Sequence, residues 1–379
     1  MPLHEHSEGW TITAEQSVTY EVRVHPRILD VPQPSAVMDD GRLPPRRLAV
    51  VDAQVWALYG DRIDAWLARF DAPYRVLTVT AGETRKTRAS VDEIQRMAID
   101  MGLSRRDELV GIGGGFTIDL VGLAASELRC GTPYTLIPTT VVGLVDASVG
   151  PKRVINQLGR KNLLGTYHPA RLIVLDTTFL GTLDARGLAA GLAEVKKVGE
   201  MVDPGLVNLL DRHGADLITS AFTHPASTEV VQRAVRSHLE HFAEDLRERE
   251  LRRWPSYGHT VSPALEMETR GAVLHGEAVN ICSLLSSVLA ARRGHVDAEY
   301  PTRMARLSRR LRLPLHHELL HEPAFLEQAL GGVILTRGGQ QHWPVPSTDP
   351  LGHAFIEDAT PGELVAASEH LRALARELT

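Results

Sequence analysis

Three residues spread along the chain are of the types a catalytic metal needs. Glu194 stands in Gly191-Leu-Ala-Glu-Val-Lys-Lys197, His259 in Gly258-His-Thr260 and His275 in Leu274-His-Gly-Glu277. Two imidazoles and a carboxylate suit a divalent ion such as zinc, with a coordination position left open for substrate. Each alone has a plainer explanation. Glu194 and Lys197 share one helical face, the spacing of an ordinary surface ion pair. A histidine after glycine is more often a cap or a satisfied core residue. Only the set points to a metal.

A second group suits anions and hydroxyls. Gly111-Ile-Gly-Gly-Gly-Phe-Thr-Ile-Asp119 reads as a strand closing and a helix opening. Glycines there let the backbone approach a phosphate, and the helix start offers free N–H groups and positive potential. The spacing is not G-x-G-x-x-G, so an ordinary Rossmann fingerprint is absent. Ile137-Pro-Thr-Thr140, Asp146, Lys152 and Gly159-Arg-Lys-Asn162 follow. Two lysines and an asparagine near a Pro-Thr-Thr turn can hold phosphate, although by themselves they read more readily as a solvated basic loop.

These residues need a scaffold. A short strand is expected at Tyr20–Val24, then a loop with prolines at 32, 34, 44 and 45. Leu48–Asp52, Tyr74–Thr80, Glu108–Ile112, Thr132–Ile137 and Leu172–Leu175 read as further strands, with helices over Val55–Phe70 and Val91–Met101. Alternation of this kind predicts a doubly wound parallel sheet. Beyond about residue 185 helical patterns dominate. In Val231–Leu246, Val231, Val235, Leu239, Phe242 and Leu246 recur at three- and four-residue steps. Gly191–Lys197 reads as a helix start. The expected fold is an α/β doubly wound domain over 1–186 followed by an all-α domain over 187–379.

The 379 residues are enough for two domains. A net charge of −6 argues against a sequence-independent nucleic-acid binder, and leaves room for a basic pocket. Two cysteines, Cys130 and Cys282, do not make a disulfide framework. The first ten residues carry no apolar signal core, and no run is long enough to span a membrane. The cytoplasm is the simplest location.

Taken together, Gly113–Asp119, Pro138-Thr-Thr140, Asp146–Lys152, Lys161-Asn162, Gly191–Glu194, Lys197, Gly258–Thr260 and Leu274–Glu277 resemble the dehydroquinate synthase superfamily, in that family's order and spacing. The likeness runs from about Asp52 to about Asp358. It implies metal ligands at Glu194, His259 and His275. It implies NAD contacts at Asp52, Glu83, Lys86, Gly114, Gly115, Asp119, Thr139, Thr140, Phe179 and Thr182. It implies substrate and phosphate contacts at Asp146, Lys152, Lys161, Asn162, Lys197 and Arg252, and a homodimer with the active site between two domains. The implied chemistry is transient oxidation by NAD, β-elimination of phosphate, reduction and intramolecular aldol closure, with zinc or cobalt as the metal. Lys152 and Asn162 would grip the phosphate, and Asp146 and Lys197 would orient hydroxyls and relay protons.

The departures from dehydroquinate synthase narrow the substrate. Pro263 stands where the family has a second histidine, Cys130 where it has an arginine, His238 where a helix lysine is expected, and Pro255-Ser256 where it has Leu-Asn. An Asp-Lys-Lys segment near the C-terminus is replaced by Arg337–Pro346. Losing these donors disfavours a carboxylate-bearing heptulosonate. The His-Thr-x-Ser-Pro and Gln-x-x-Pro-x-Pro stretches look instead like sedoheptulose 7-phosphate cyclases. Within that branch His238, Pro255-Ser256 and His342 tip the reading slightly to 2-epi-valiolone over 2-epi-5-epi-valiolone as product. His238 also reads as a core histidine between Val235 and Phe242. The alternatives are 3-dehydroquinate synthase, a metal-dependent polyol dehydrogenase with net NADH formation, and a non-catalytic metabolite-binding relative.

Overall fold

A computed structural model describes residues 3–38, 46–349 and 352–378. The prolines at 44 and 45 lie outside these residues. An exposed hairpin, β1 (Leu3–His6) and β2 (Gly9–Ile12), opens the chain. Then come β3 (Glu21–Val24), α1 (Ser35–Met38), β4 (Arg47–Asp52), α2 (Ala53–Leu67), β5 (Tyr74–Val79), α3 (Arg88–Asp100), β6 (Glu108–Gly113), α4 (Gly115–Glu127) and β7 (Tyr134–Pro138). A second hairpin, β8 (Lys152–Gln157) and β9 (Arg160–Tyr167), precedes β10 (Leu172–Leu175).

Six strands form one parallel sheet in the order β3-β10-β7-β6-β4-β5. β4 shows why: Leu48 and Val50 enter one core, while Ala49 and Val51 enter the core on the opposite face. A strand buried on both faces reads as a continuous apolar run, as this one does from Leu48 to Val51. β5 lies on one side of β4 and β6 on the other, so the winding reverses between β4 and β6. A crevice opens there, beyond the carboxyl ends of the strands.

The remainder is helical: α5 (Ala185–Met201), α6 (Pro204–Thr219), α7 (Ala226–Glu244), α8 (Ser262–Glu268), α9 (His275–Arg292), α10 (Tyr300–Arg310) and α11 (Pro323–Thr336), then an antiparallel pair β11 (Trp343–Pro346) and β12 (His353–Ile356), and α12 (Pro361–Glu377). That pair departs from the all-α expectation. α9 is buried on nearly every side from Gly276 to Ala290. It presses so closely on α5 that a Cβ on Gly276 would stand 1.7 Å from the Ala190 carbonyl oxygen. Among the described residues no helix is long and apolar enough to cross a membrane.

Two local expectations need correction. Gly191–Lys197 lies in the middle of α5, whose start is set by Asp184 accepting from the Gly187 N–H. The supposed basic loop around Gly159 is the β8–β9 hairpin. Its turn places Leu158 and Gly159 at φ +51° and +70°, the left-handed pair that a tight hairpin requires. Leu163 and Leu164 point outward on β9, so the apolar alternation that marks a strand is missing.

Candidate metal centre and substrate cleft

Glu194 is fully buried on α5. His259 lies in the loop before α8, and His275 is the first residue of α9. His275 Nε2 stands 3.0 Å and His259 Nε2 3.9 Å from Glu194 Oε1. In both rings the other nitrogen is committed. His259 Nδ1 donates to the Tyr257 carbonyl at 2.9 Å, and His275 Nδ1 donates to Glu266 Oε1 at 3.0 Å. That leaves Nε2 of each ring directed at the same carboxylate, the nitrogen that becomes a ligand lone pair once the ring gives up any proton there. Neither Glu194 oxygen receives a hydrogen bond of good geometry, although Lys197 Nζ lies 2.6 Å from Oε2. A buried carboxylate facing two imidazole Nε2 atoms fits a divalent cation, and one ligand atom from each residue lies within 4.8 Å of the others.

The supports come from the same helices. Glu200, six residues after Glu194 on α5, accepts from Lys196 Nζ at 2.7 Å and from the Tyr257 hydroxyl at 2.9 Å. It thereby anchors the residue whose carbonyl orients His259. Burial would raise the Glu194 carboxyl, but Lys197 and His275 hold it well below the usual range. Burial opposes the His275 imidazolium, yet Glu266 and Glu194 keep that ring's pKa up at about 9. Burial and the Lys197 charge push His259 down.

The trio opens on a cleft of about 450 Å³ between the sheet and the helices. Of the expected residues, Asp146, Lys152, Lys161, Asn162, Lys197, Ser256, Glu83, Lys86, Gly115 and Asp119 line it with His259 and His275. Asp146 sits in a π turn over Gly143–Ala147, with Lys197 Nζ 3.1 Å from its Oδ2. Burial would lower the Lys197 pKa, but Asp146 and Glu194 raise it. Lys86 Nζ lies 2.6 Å from Asp119 Oδ2 and donates to Asn162 Oδ1 at 2.8 Å, joining α4 to β9.

The other expected cofactor residues gather at the crevice between β4 and β6. Asp52 ends β4 and caps α2 by accepting from the Gln54 N–H at 2.8 Å. Gly114 caps α4, and a Cβ on Gly113 would stand 2.5 Å from Thr117 Oγ1, so the backbone comes close only without one. Thr139 and Thr140 follow β7, and Phe179 and Thr182 lie in a short 3-10 segment after β10. Thr140 Oγ1 accepts from the Gly143 N–H, holding the turn that carries Asp146. Residues from β4, α4 and the segment after β7 thus form one continuous strip, which fits an elongated dinucleotide.

Two expected substrate residues stand elsewhere. Arg252 is half exposed, 3.5 Å from Glu357 and stacked over Phe355, and it is its neighbour Arg253 that lines the cleft. His238 is fully buried on α7, its Nδ1 directed at the Ala234 carbonyl and its Nε2 3.6 Å from Asp146 Oδ1. It does not line the cleft, and it meets the lining residues Asp146 and Phe242 from behind. His342 pairs with Glu357 at 2.9 Å, away from the cleft, and Cys130 is exposed. Pro263 occupies the first turn of α8, where proline is tolerated because the N–H has no helical partner.

Sequence reasoning missed three carboxylates and cations. Glu248 accepts from Lys152 Nζ and from the Tyr167 hydroxyl, each at 3.1 Å, and lies 3.3 Å from Arg253 Nε. Burial would raise its carboxyl, but Lys152 and Arg253 lower it. Arg253 and Glu266 complete the set. The visible signal for Glu266 was its place seven residues after His259, one turn into the helix that follows.

The fold and this site define a class. The 3-dehydroquinate synthase N-terminal model matches residues 76–190 and the C-terminal model residues 191–331, and the chain belongs to the dehydroquinate synthase family. Within that family it is 41% identical, over 96% of its own length and 98% of the relative's, to a 2-epi-5-epi-valiolone synthase from an Actinomyces species. It superposes with a TM-score of 0.91 and 40% identity on the 2-epi-5-epi-valiolone synthase of Streptomyces hygroscopicus solved with NAD⁺ and Zn²⁺ bound, covering 96% of this chain and 99% of that one. A 2-epi-valiolone synthase from Actinosynnema mirum is 32% identical over 88% of this chain and 87% of that relative.

Proposed function

We propose that this protein is a sugar phosphate cyclase that converts sedoheptulose 7-phosphate to 2-epi-5-epi-valiolone with release of phosphate, using NAD and a divalent metal. The observation that carries the reading is the pair of imidazole Nε2 atoms turned on buried Glu194 beside the Lys197–Asp146 pair, in one cleft. The product reading moves from 2-epi-valiolone to its 2-epi-5-epi epimer on two grounds. The relatives that make the latter are the more similar. Two of the departures that favoured the former, His238 and His342, do not line the cleft.

Glu194, His259 and His275 would hold the metal, and the crevice from Asp52 to Thr140 would hold NAD. When bound, the metal supplies Lewis acidity toward a sugar hydroxyl and NAD a transient hydride acceptor. The chain's own groups do the rest. Lys152, Arg253 and Asn162 lie where a phosphate can enter the cleft, and Lys152 and Arg253 would exchange Glu248 for it. Lys197 is held protonated by two carboxylates, so it serves as a fixed donor to a substrate oxygen rather than as a proton shuttle. Asp146, one oxygen on Lys197 and the other toward His238, orients a hydroxyl by accepting from it. The absence of lysine at 238 and of histidine at 263 leaves no cation there for a substrate carboxylate, in keeping with a substrate that has none.

A cytoplasmic homodimer belongs to the same reading. The unpaired thiols of Cys130 and Cys282 fit a reducing compartment, and sedimentation velocity tests the dimer. The deciding assay follows phosphate release and product mass with sedoheptulose 7-phosphate, NAD⁺ and a divalent metal, alongside the heptulosonate substrate of dehydroquinate synthase. A C7 cyclitol from the first substrate alone is expected, and NMR of that product fixes the epimer. Turnover of the heptulosonate instead, or net NADH formation from a polyol, overturns the proposal.

A further inference from the structure

We propose that Glu266 is a positioning residue that fixes His275 for metal binding and ties it, through one buried carboxylate, to the substrate-side lysine Lys161. The inference rests on the reading of Glu194, His259 and His275 as metal ligands. Glu266 lies on α8 and is 5% exposed. Its Oε1 accepts from His275 Nδ1 at 3.0 Å, and its Oε2 is in contact with Lys161 Nζ on β9.

The two histidines are oriented by unequal acceptors. His259 Nδ1 gives its hydrogen to a neutral backbone carbonyl, that of Tyr257. His275 gives its hydrogen to an anion, and charge-assisted hydrogen bonds are the shorter and stronger kind. A carboxylate on the far nitrogen fixes the tautomer, holds the ring plane and makes Nε2 a better ligand. Among the described residues no other side chain accepts from His275 Nδ1: the ring's Nε2 faces Glu194 at 3.0 Å, and the His259 ring lies beside it with centroids 5.3 Å apart.

The second oxygen explains why such a carboxylate is tolerated. A buried anion with only one neutral donor is costly, and Lys161 supplies the balancing charge. Lys161 reaches α8 from the β8–β9 hairpin, which also carries Lys152 and Asn162. The hairpin is therefore pinned to the metal side of the cleft at Glu266. With one oxygen held by His275 and the other by Lys161, Glu266 acts through those two residues.

Zinc affinity tests this, measured by competition with a chromophoric chelator on the wild type, Glu266→Ala and Glu266→Gln, with the melting temperature of each metal-free protein in parallel. The wild type is expected to bind one zinc per chain tightly. Glu266→Ala is expected to bind it about 10- to 100-fold more weakly. Glu266→Gln keeps an oxygen that accepts from Nδ1–H, so it binds between the two at a similar metal-free melting temperature. A role in folding alone would lower the melting temperature without that graded order. Wild-type affinity in both variants overturns the proposal, and if Glu266→Ala does not fold, wild-type affinity in Glu266→Gln does so alone. A wild type that binds no stoichiometric zinc overturns the metal-site reading instead.

Discussion

Lys197 Nζ lies 2.6 Å from Glu194 Oε2, three residues along the same helix, with both side chains almost wholly buried. On a surface this spacing is a weak pair worth a few tenths of a kcal/mol. Buried, each charge depends on the other, because removing one leaves the second out of water with only part of its compensation, Asp146 for Lys197 or His275 for Glu194.

Lys197→Met is therefore expected to destabilise the metal-free protein by about 3–5 kcal/mol. Zinc should restore much of that loss, since a cation bound to Glu194 replaces the lost ammonium. Chemical denaturation with and without zinc measures both. Turnover should stay low in either state, because the donor to substrate is gone.

Glu194→Ala removes the carboxylate that both imidazoles face. The variant is expected to fold, to lose stoichiometric zinc and to lose turnover. Metal analysis and phosphate release check it. In the wild type, chelation should lower the melting temperature by mass action, equivalent to about 2.7 kcal/mol where free zinc had been 100-fold above its dissociation constant. Full activity in Glu194→Ala would sink the metal-site assignment.

Gly276→Ala places a methyl 1.7 Å from the Ala190 carbonyl oxygen, which belongs to the backbone of α5 and cannot swing away. The helices must part, and overpacking of this kind costs about 1–3 kcal/mol or more. Because Gly276 follows His275 and Ala190 precedes Glu194 by one turn, zinc affinity should fall as well. Denaturant midpoints and chelator competition read the two effects.

His238 gives a pH dependence with a definite sign. Burial, aided by the Lys197 charge, outweighs Asp146 and lowers its pKa below the ordinary histidine value. In acid the unfolded chain takes up a proton that the folded chain resists. Its contribution is complete above about pH 6.5 and is lost as pH falls from there toward the depressed folded value, with a slope of at most about 1.4 kcal/mol per pH unit. His238→Gln, which does not titrate, should show a flatter loss of stability between pH 6.5 and 5. Parallel curves for the two proteins would contradict this.

The sequence by itself determined the alternation of apolar strands and amphipathic helices, because burial on both faces of a sheet or one face of a helix writes a local period. It also determined the candidate ligands, since few residue types bind zinc, and the loss of cations at Cys130, His238 and Pro263. Tertiary structure decided the rest. Arg252 and Arg253 are adjacent and alike, and only the path of the chain before α8 sends the second into the cleft and the first to Glu357. β8 and β9 lacked the expected alternation because β9 turns its leucines outward. Glu266 meets Lys161 across more than a hundred residues, and Glu248 meets Lys152 across nearly as many. Such pairings leave no periodic trace, because the contact exists only once separate elements have packed. Burial followed the same rule: one spacing serves a surface pair and a buried pair alike, and only the packing around α5 removed the water from Glu194 and Lys197.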